Sequence, residues 1–307
     1  MRTALVTHDA CFDHVTPPGH PEQVARLDAV LDALKGMGLH RVTAPMGADD
    51  DILRAHPAAH IAAIRDAAPD EGWRSLDADT HMSVGTLEAA FRCVGGVVRA
   101  VDMVMGGEAP NAFVAMRPPG HHAERETPMG FCFFGNVAIA AKHALDHHGL
   151  DRIAIVDFDV HHGNGTQDLV EDDPRILFCS THQMPLYPGT GAAHETGVGN
   201  VLNCPLTDGA GSKAFRDVME QAVLPRVDAF SPQLLIISAG FDAHRADPLA
   251  GMNLAEDDFA WITERLCDIA DRHCAGRVVS SLEGGYDLPA LGASAAAHVT
   301  VLKERAL

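Results

Sequence analysis

The chain has 307 residues, 47% of them hydrophobic, enough for one large α/β domain or two smaller ones with a sizeable core. Its formal net charge of −19 excludes non-specific affinity for nucleic acid or anionic membranes, which needs clustered Lys and Arg. An acidic surface suits cationic substrates such as polyamines or lysine-rich tails, and it also simply keeps a protein soluble.

In chain order, six short apolar runs rich in β-formers predict strands at Ala4–Thr7, Ala112–Met116, Arg152–Phe158, Ile176–Ser180, Leu234–Ser238 and Arg277–Ser281. Segments with helical spacing lie between or beside them: Pro21–Met37, Val84–Met105, Asn136–His148, Ser212–Phe230, Glu256–His273 and Leu288–Lys303. Strands alternating with helices predict right-handed βαβ units, hence a mainly parallel sheet covered on both faces in a three-layer α/β/α domain. No linker, repeat or low-complexity tract interrupts the chain, so residues 1–307 are expected to form a single domain. Seven cysteines without a C-x-x-C pair read as reduced thiols, mostly in apolar surroundings. With no leader-like start in Met1–Ala10 and no run of about 18 apolar residues, the expected location is cytoplasmic.

Nearly every cluster of His, Asp and Gly directly follows one of these strands, and ligands of open parallel sheets bind beyond the strands' carboxyl ends. In Ile155-Val-Asp-Phe-Asp-Val-His-His-Gly-Asn-Gly165, the residues Asp157, Asp159 and His161 alternate and so project to one side. Two carboxylates and an imidazole packed so closely call for a cation. Ser238-Ala-Gly-Phe-Asp-Ala-His-Arg-Ala-Asp-Pro-Leu249 offers Asp242, His244 and Asp247 as further ligands or supports. Asp159, His161 and one of these aspartates would leave a coordination position for water, as hydrolysis requires.

Arg117-Pro-Pro-Gly-His-His-Ala-Glu124 supplies His121 and His122, in the pKa range for a general base and acid. Leu282-Glu-Gly-Gly-Tyr-Asp287 supplies Tyr286, whose phenol could donate to a developing oxyanion.

Taken together, R-P-P-G-H-H, G-F-C-F-F, D-F-D-V-H-H-G-N-G-T-Q, S-A-G-F-D-A-H-x-x-D-P-L and E-G-G-Y resemble the histone deacetylase and acetylpolyamine amidohydrolase family, nearer its class II-like bacterial members. The resemblance runs from about His20 to Leu288 and implies the arginase/deacetylase fold. It implies a metal on Asp159, His161 and Asp247, usually zinc, with Fe²⁺ or Co²⁺ as alternatives. It implies His122 as base and acid, His121 as the second histidine held by Asp157, and Tyr286 as the catalytic tyrosine. Asn164 falls where some members have an Asp beside the base.

Phe131 and Tyr187 match an aromatic pair lining a narrow tunnel, with Gly130, Leu249 and Gly285 as further substrate contacts and Thr80–Gly85 on the rim. A structural K⁺ is implied near Asp157, Asp159, His161, Ser180 and Thr181. The implied substrate is an acetylated lysine peptide or another acetylated amine. An acetylpolyamine is the rival substrate, and Leu249, where some polyamine-selective members carry Glu, leans away from it. A non-catalytic acyl-lysine reader would be expected to have lost a ligand, His122 or Tyr286, and all are present. An arginase-like ureohydrolase does not fit adjacent histidines and Tyr286.

Overall fold

A computed structural model of the protein describes residues 1–306. Its strands are β1 (Ala4–Thr7), β2 (His40–Thr43), β3 (Trp73–Ser75), β4 (His81–Ser83), β5 (Asn111–Val114), β6 (Ile153–Asp157), β7 (Ile176–Gln183), β8 (Val201–Leu206), β9 (Leu234–Ala239) and β10 (Val278–Leu282). Its helices are α1 (Ala25–Ala33), α2 (Asp49–Ile52), α3 (Ala58–Ala67), α4 (Thr86–Met105), α5 (Asn136–His148), α6 (Asn164–Val170), α7 (Ser212–Val218), α8 (Leu224–Phe230), α9 (Glu256–His273) and α10 (Leu288–Glu304).

Eight strands form one sheet in the order β2-β1-β5-β10-β9-β6-β7-β8, and every pairing in it is parallel. The central strands β5, β6, β9 and β10 are buried at every residue, as a sheet covered on both faces requires. Helices α4 and α5 pack on one face, while α9 and α10 cover the other, with α1 against α10. The three-layer expectation therefore holds.

All six predicted strands are present. The sequence reading missed β2, whose pattern is mostly exposed, and β8, where Asn203 and Pro205 interrupt the apolar run. Both are edge strands, which lack a second neighbour and so lack the doubly buried signature. It also missed the small antiparallel hairpin β3–β4. The predicted helix Ser212–Phe230 is continuous but passes through a π-turn at Met219–Val223, before Pro225.

Parallel register decides what meets at the sheet's rim. Asp157 of β6 pairs with Ser238 of β9, Ser238 with Ser281 of β10, and Ser281 with Val114 of β5. The four polar clusters thus leave four adjacent strands at the same edge. Among the described residues no helix is long and apolar enough to cross a membrane.

A candidate metal centre beside a narrow cavity

At the end of β6 the chain turns so that Asp159 and His161 face Asp242, which follows β9. Donor atoms of these three residues all lie within 4.8 Å of one another. The Nδ1 of His161 is 3.1 Å from an oxygen of Asp159 and 3.1 Å from one of Asp242. Both carboxylates are fully buried. The remaining oxygens accept backbone N–H groups, Asp159 from Gly284 at 2.8 Å and Asp242 from Val160 at 2.9 Å. Any Cβ on Gly240 or Gly284 would collide with these carboxylates, so glycine is what permits the approach.

Electrostatics agrees with the geometry. Burial, with Asp159 nearby, pushes the Asp242 carboxyl up. Burial also opposes a charged His161, yet Asp159 and Asp242 hold it up to about 10. Two buried carboxylates here demand positive charge, and two carboxylates with one imidazole are a donor set suited to a divalent d-block ion.

The expected third ligand, Asp247, is not in this group. Its two oxygens accept N–H groups from Tyr286 at 2.7 Å and from Leu249 at 3.0 Å. Asp242 and Asp247 follow the same strand, but the turn sends only Asp242 towards His161. Asp247 instead ties the Tyr286 and Leu249 backbones together.

The loop after β5 brings His121 and His122 to the same place, with ring centroids 4.0 Å apart. Glu283, fully buried, accepts from the Gly120 N–H at 2.7 Å, the His121 N–H at 3.1 Å and the Ser238 hydroxyl at 3.1 Å. That one carboxylate, just past β10, ties the loop after β5 to the end of β9. His121 Nδ1 lies 3.0 Å from Asp157, and His122 Nδ1 lies 2.7 Å from the Asn164 Oδ1. Asn164 in turn donates its amide to the Glu124 carboxylate at 2.7 Å.

Burial opposes protonation of both rings, but Asp159 and Asp157 hold His121 up to about 10. No carboxylate hydrogen-bonds to His122, and burial together with His121 and His161 pushes it well below the usual imidazole range despite Asp159. Adjacent histidines are thereby split into a proton holder and a free base.

A cavity of about 330 Å³ opens onto His122 and His161, walled by Phe131, Tyr187, Leu249 and Tyr286. Tyr187 sits edge-on to His122 at 5.1 Å, and Phe131 edge-on to Tyr286 at 5.9 Å. Gly130, at φ +55°, packs so tightly on the His122 ring that a Cβ would overlap it. Asp79 and His81 line the mouth, placing the rim on the β3–β4 hairpin, which begins before the expected Thr80–Gly85. Burial keeps the Tyr286 phenol protonated, raising it well above the usual range.

Gly285 is not on this wall. Its carbonyl, turned away by a φ of +121°, accepts from Arg26 Nε at 2.6 Å. Arg26 also donates to the Glu283 carbonyl at 2.5 Å and covers the Tyr286 ring at 4.9 Å. Behind it, the buried Glu22 takes hydrogen bonds from Arg26 at 2.9 Å and from Arg117 at 2.5 and 2.6 Å. The sequence reading named neither Glu22, just before α1, nor Arg26, within it; their partners lie 95 and 259 residues away. The Asp287 side chain caps α10 by accepting from the Ala290 N–H at 2.9 Å, fixing the chain just past Tyr286.

Comparison with known proteins agrees over nearly the whole chain. A family model described as histone deacetylase domain matches residues 20–302. The histone deacetylase-like amidohydrolase of Pseudomonas aeruginosa is 41% identical, the alignment covering 93% of this chain and 82% of that protein. A probable deacetylase of Archaeoglobus fulgidus is 39% identical, over 94% of this chain and 82% of its own. A crystal structure of the HDA15 HD domain superposes with a TM-score of 0.93 at 33% identity, covering 99% of this chain and 88% of that one.

Proposed function

The chain belongs to the histone deacetylase family, a hydrolase acting on amides, and on that premise we propose that it is a metal-dependent deacetylase of acetyl-lysine side chains or related acylated amines. One observation carries the reading: His161, grouped with Asp159 and Asp242, lines one cavity together with His122 and the Tyr286 phenol. Zinc, Fe²⁺ or Co²⁺ on those three residues would polarise the amide carbonyl and acidify a water.

The rest falls to side chains. Since the Glu124 carboxylate only accepts, the Asn164 amide nitrogen faces it and Oδ1 faces His122. His122 Nδ1 must then donate, leaving Nε2 as the lone pair that takes the water proton. Tyr286 donates its O–H to the carbonyl oxygen as negative charge develops there. The proton on His122 Nε2 passes to the departing nitrogen, and free amine and acetate leave. His121, oriented by Asp157 at its Nδ1, helps to polarise and place the water.

Phe131 and Tyr187 suit the aliphatic stem of an acetylated amine, and Leu249 presents an apolar mouth. Asp79 at the same mouth supports a second reading, an acetylpolyamine whose distal ammonium meets that carboxylate. A structural potassium ion would find Ser180 in register with Asp157, and the Thr181 hydroxyl buried without a hydrogen-bond partner. The test is amine release from acetyl-lysine peptide and from N-acetylputrescine by metal-quantified protein, alongside Tyr286→Phe and His122→Ala. Turnover abolished by chelation and sharply reduced in both variants is expected. One metal per chain with no turnover on either substrate would overturn the reading.

A further inference from the structure

On the face of the sheet where α4 and α5 lie together, three imidazoles gather around one carboxylate. His143 Nε2 is 2.7 Å from Asp102 Oδ1, and His148 Nε2 is 2.8 Å from that same oxygen. His147 stacks on His143 at 4.9 Å and stands edge-on to His148 at 4.9 Å. Asp102 comes from α4 and the histidines from the last turn and a half of α5, which ends at Gly149 with φ 66°. None of these residues lines the hydrolytic cavity.

We propose that Asp102, His143 and His148 form a second divalent-cation site, selective for borderline d-block ions such as Zn²⁺, Co²⁺ or Ni²⁺. Two imidazoles and one carboxylate make a donor set these ions prefer and Mg²⁺ or Ca²⁺ do not. Ligand atoms from all three residues lie within 4.8 Å of one another. His143 is 96% buried (4% exposed), its Nδ1 has no hydrogen-bond partner, and Asp102 is its one polar anchor. Bonds of about 2.0–2.1 Å to each ligand need the nitrogens and oxygen roughly half an ångström further apart than now. Asp102, 35% exposed, has room to withdraw by that much and leave a position for water.

Nearby cations do not oppose the ion. Arg54 is taken by Asp146 at 2.8 Å and Asp51 at 4.0 Å, and Arg99 by Glu108 at 2.6 Å. An ion there would staple the C-terminal ends of α4 and α5, stabilising the fold by mass action without touching the chemistry.

The test is independent of the deacetylase reading. Metal-depleted protein is titrated with Zn²⁺ by calorimetry and with Co²⁺ by visible absorption, using wild type, His148→Ala, Asp102→Asn and Asp242→Ala. The wild type should bind one ion per chain more than His148→Ala or Asp102→Asn, and Asp242→Ala should keep the ion that those two variants lose. His148→Ala should keep amine release at the wild-type level, and Asp102→Asn guards against a folding defect peculiar to losing the ring. His148→Ala and Asp102→Asn saturating at the same number of ions as wild type would overturn the site and leave a hydrogen-bonded cluster only.

Discussion

The amide of Asn164 donates to the Glu124 carboxylate at 2.7 Å while its carbonyl oxygen faces His122 at 2.7 Å, so Glu124 sets the tautomer of a histidine it does not touch. Glu124→Ala frees the amide to flip and should lower kcat by about 10-fold or more with KM little changed, as loss of an outer partner does elsewhere. Asn164→Asp puts a charge beside His122 and raises its basicity, so the acid limb of kcat/KM should move up by on the order of one pH unit. Wild-type kcat in Glu124→Ala, together with an unmoved limb in Asn164→Asp, would remove this relay from the mechanism.

Asp242 and Asp247 should separate cleanly by metal content. Asp242→Ala takes away a carboxylate 3.1 Å from His161 Nδ1 and should leave the catalytic centre without bound ion. Asp247→Ala removes only the acceptor of the Tyr286 and Leu249 N–H groups. It should keep its metal and lose turnover through a displaced phenol. Elemental analysis of the two proteins beside their kcat values decides, and the reverse pattern would restore Asp247 as ligand.

Glu22 compensates two buried guanidiniums. Burial alone would raise its carboxyl, but Arg117, His14 and Arg26 hold it well below the usual range. Glu22→Gln leaves those cations buried with less compensation and should cost about 3–5 kcal/mol of stability, read as a drop in urea midpoint. A loss under about 1 kcal/mol would mean that the network is energetically idle.

His298 is fully buried between the Thr263 and Ser280 hydroxyls, at 2.6 and 2.9 Å, and burial pushes its pKa down to about 3. Its folded pKa is below the unfolded value of about 6.5, so its stability contribution is whole above pH 6.5 and is lost as pH falls towards 3. One proton's difference amounts to about 1.4 kcal/mol per pH unit. His298→Gln, which cannot titrate, should therefore close its stability gap to wild type by about 2 kcal/mol between pH 6.5 and pH 5. A gap constant across that interval would show that His298 titrates in the folded protein as it does in the unfolded chain.

Periodicity and local chemistry were legible without coordinates. The doubly buried β5, β6, β9 and β10 announce themselves as short runs rich in apolar β-formers, and Asp157, Asp159 and His161 declare a shared direction by alternating at a strand's end. From those facts alone the parallel sheet and the side of it that carries the chemistry both follow. Edge strands β2 and β8 gave no such signal because half of their surroundings is solvent or loop.

What the sequence could not decide is where side chains point once the chain leaves regular structure. Asp242 and Asp247 are five positions apart after one strand, and only the turn's path, held by the Gly284 carbonyl, Val160 and Tyr286 from distant segments, aims one at His161 and the other at a backbone. Arg26 in α1 and Glu22 just ahead of it are likewise silent until α1 packs on α10 and the chain brings them to Gly285 and Arg117. Local sequence dictates the period of an element; contacts between far-apart segments dictate the direction of a loop, and ligands are chosen by direction.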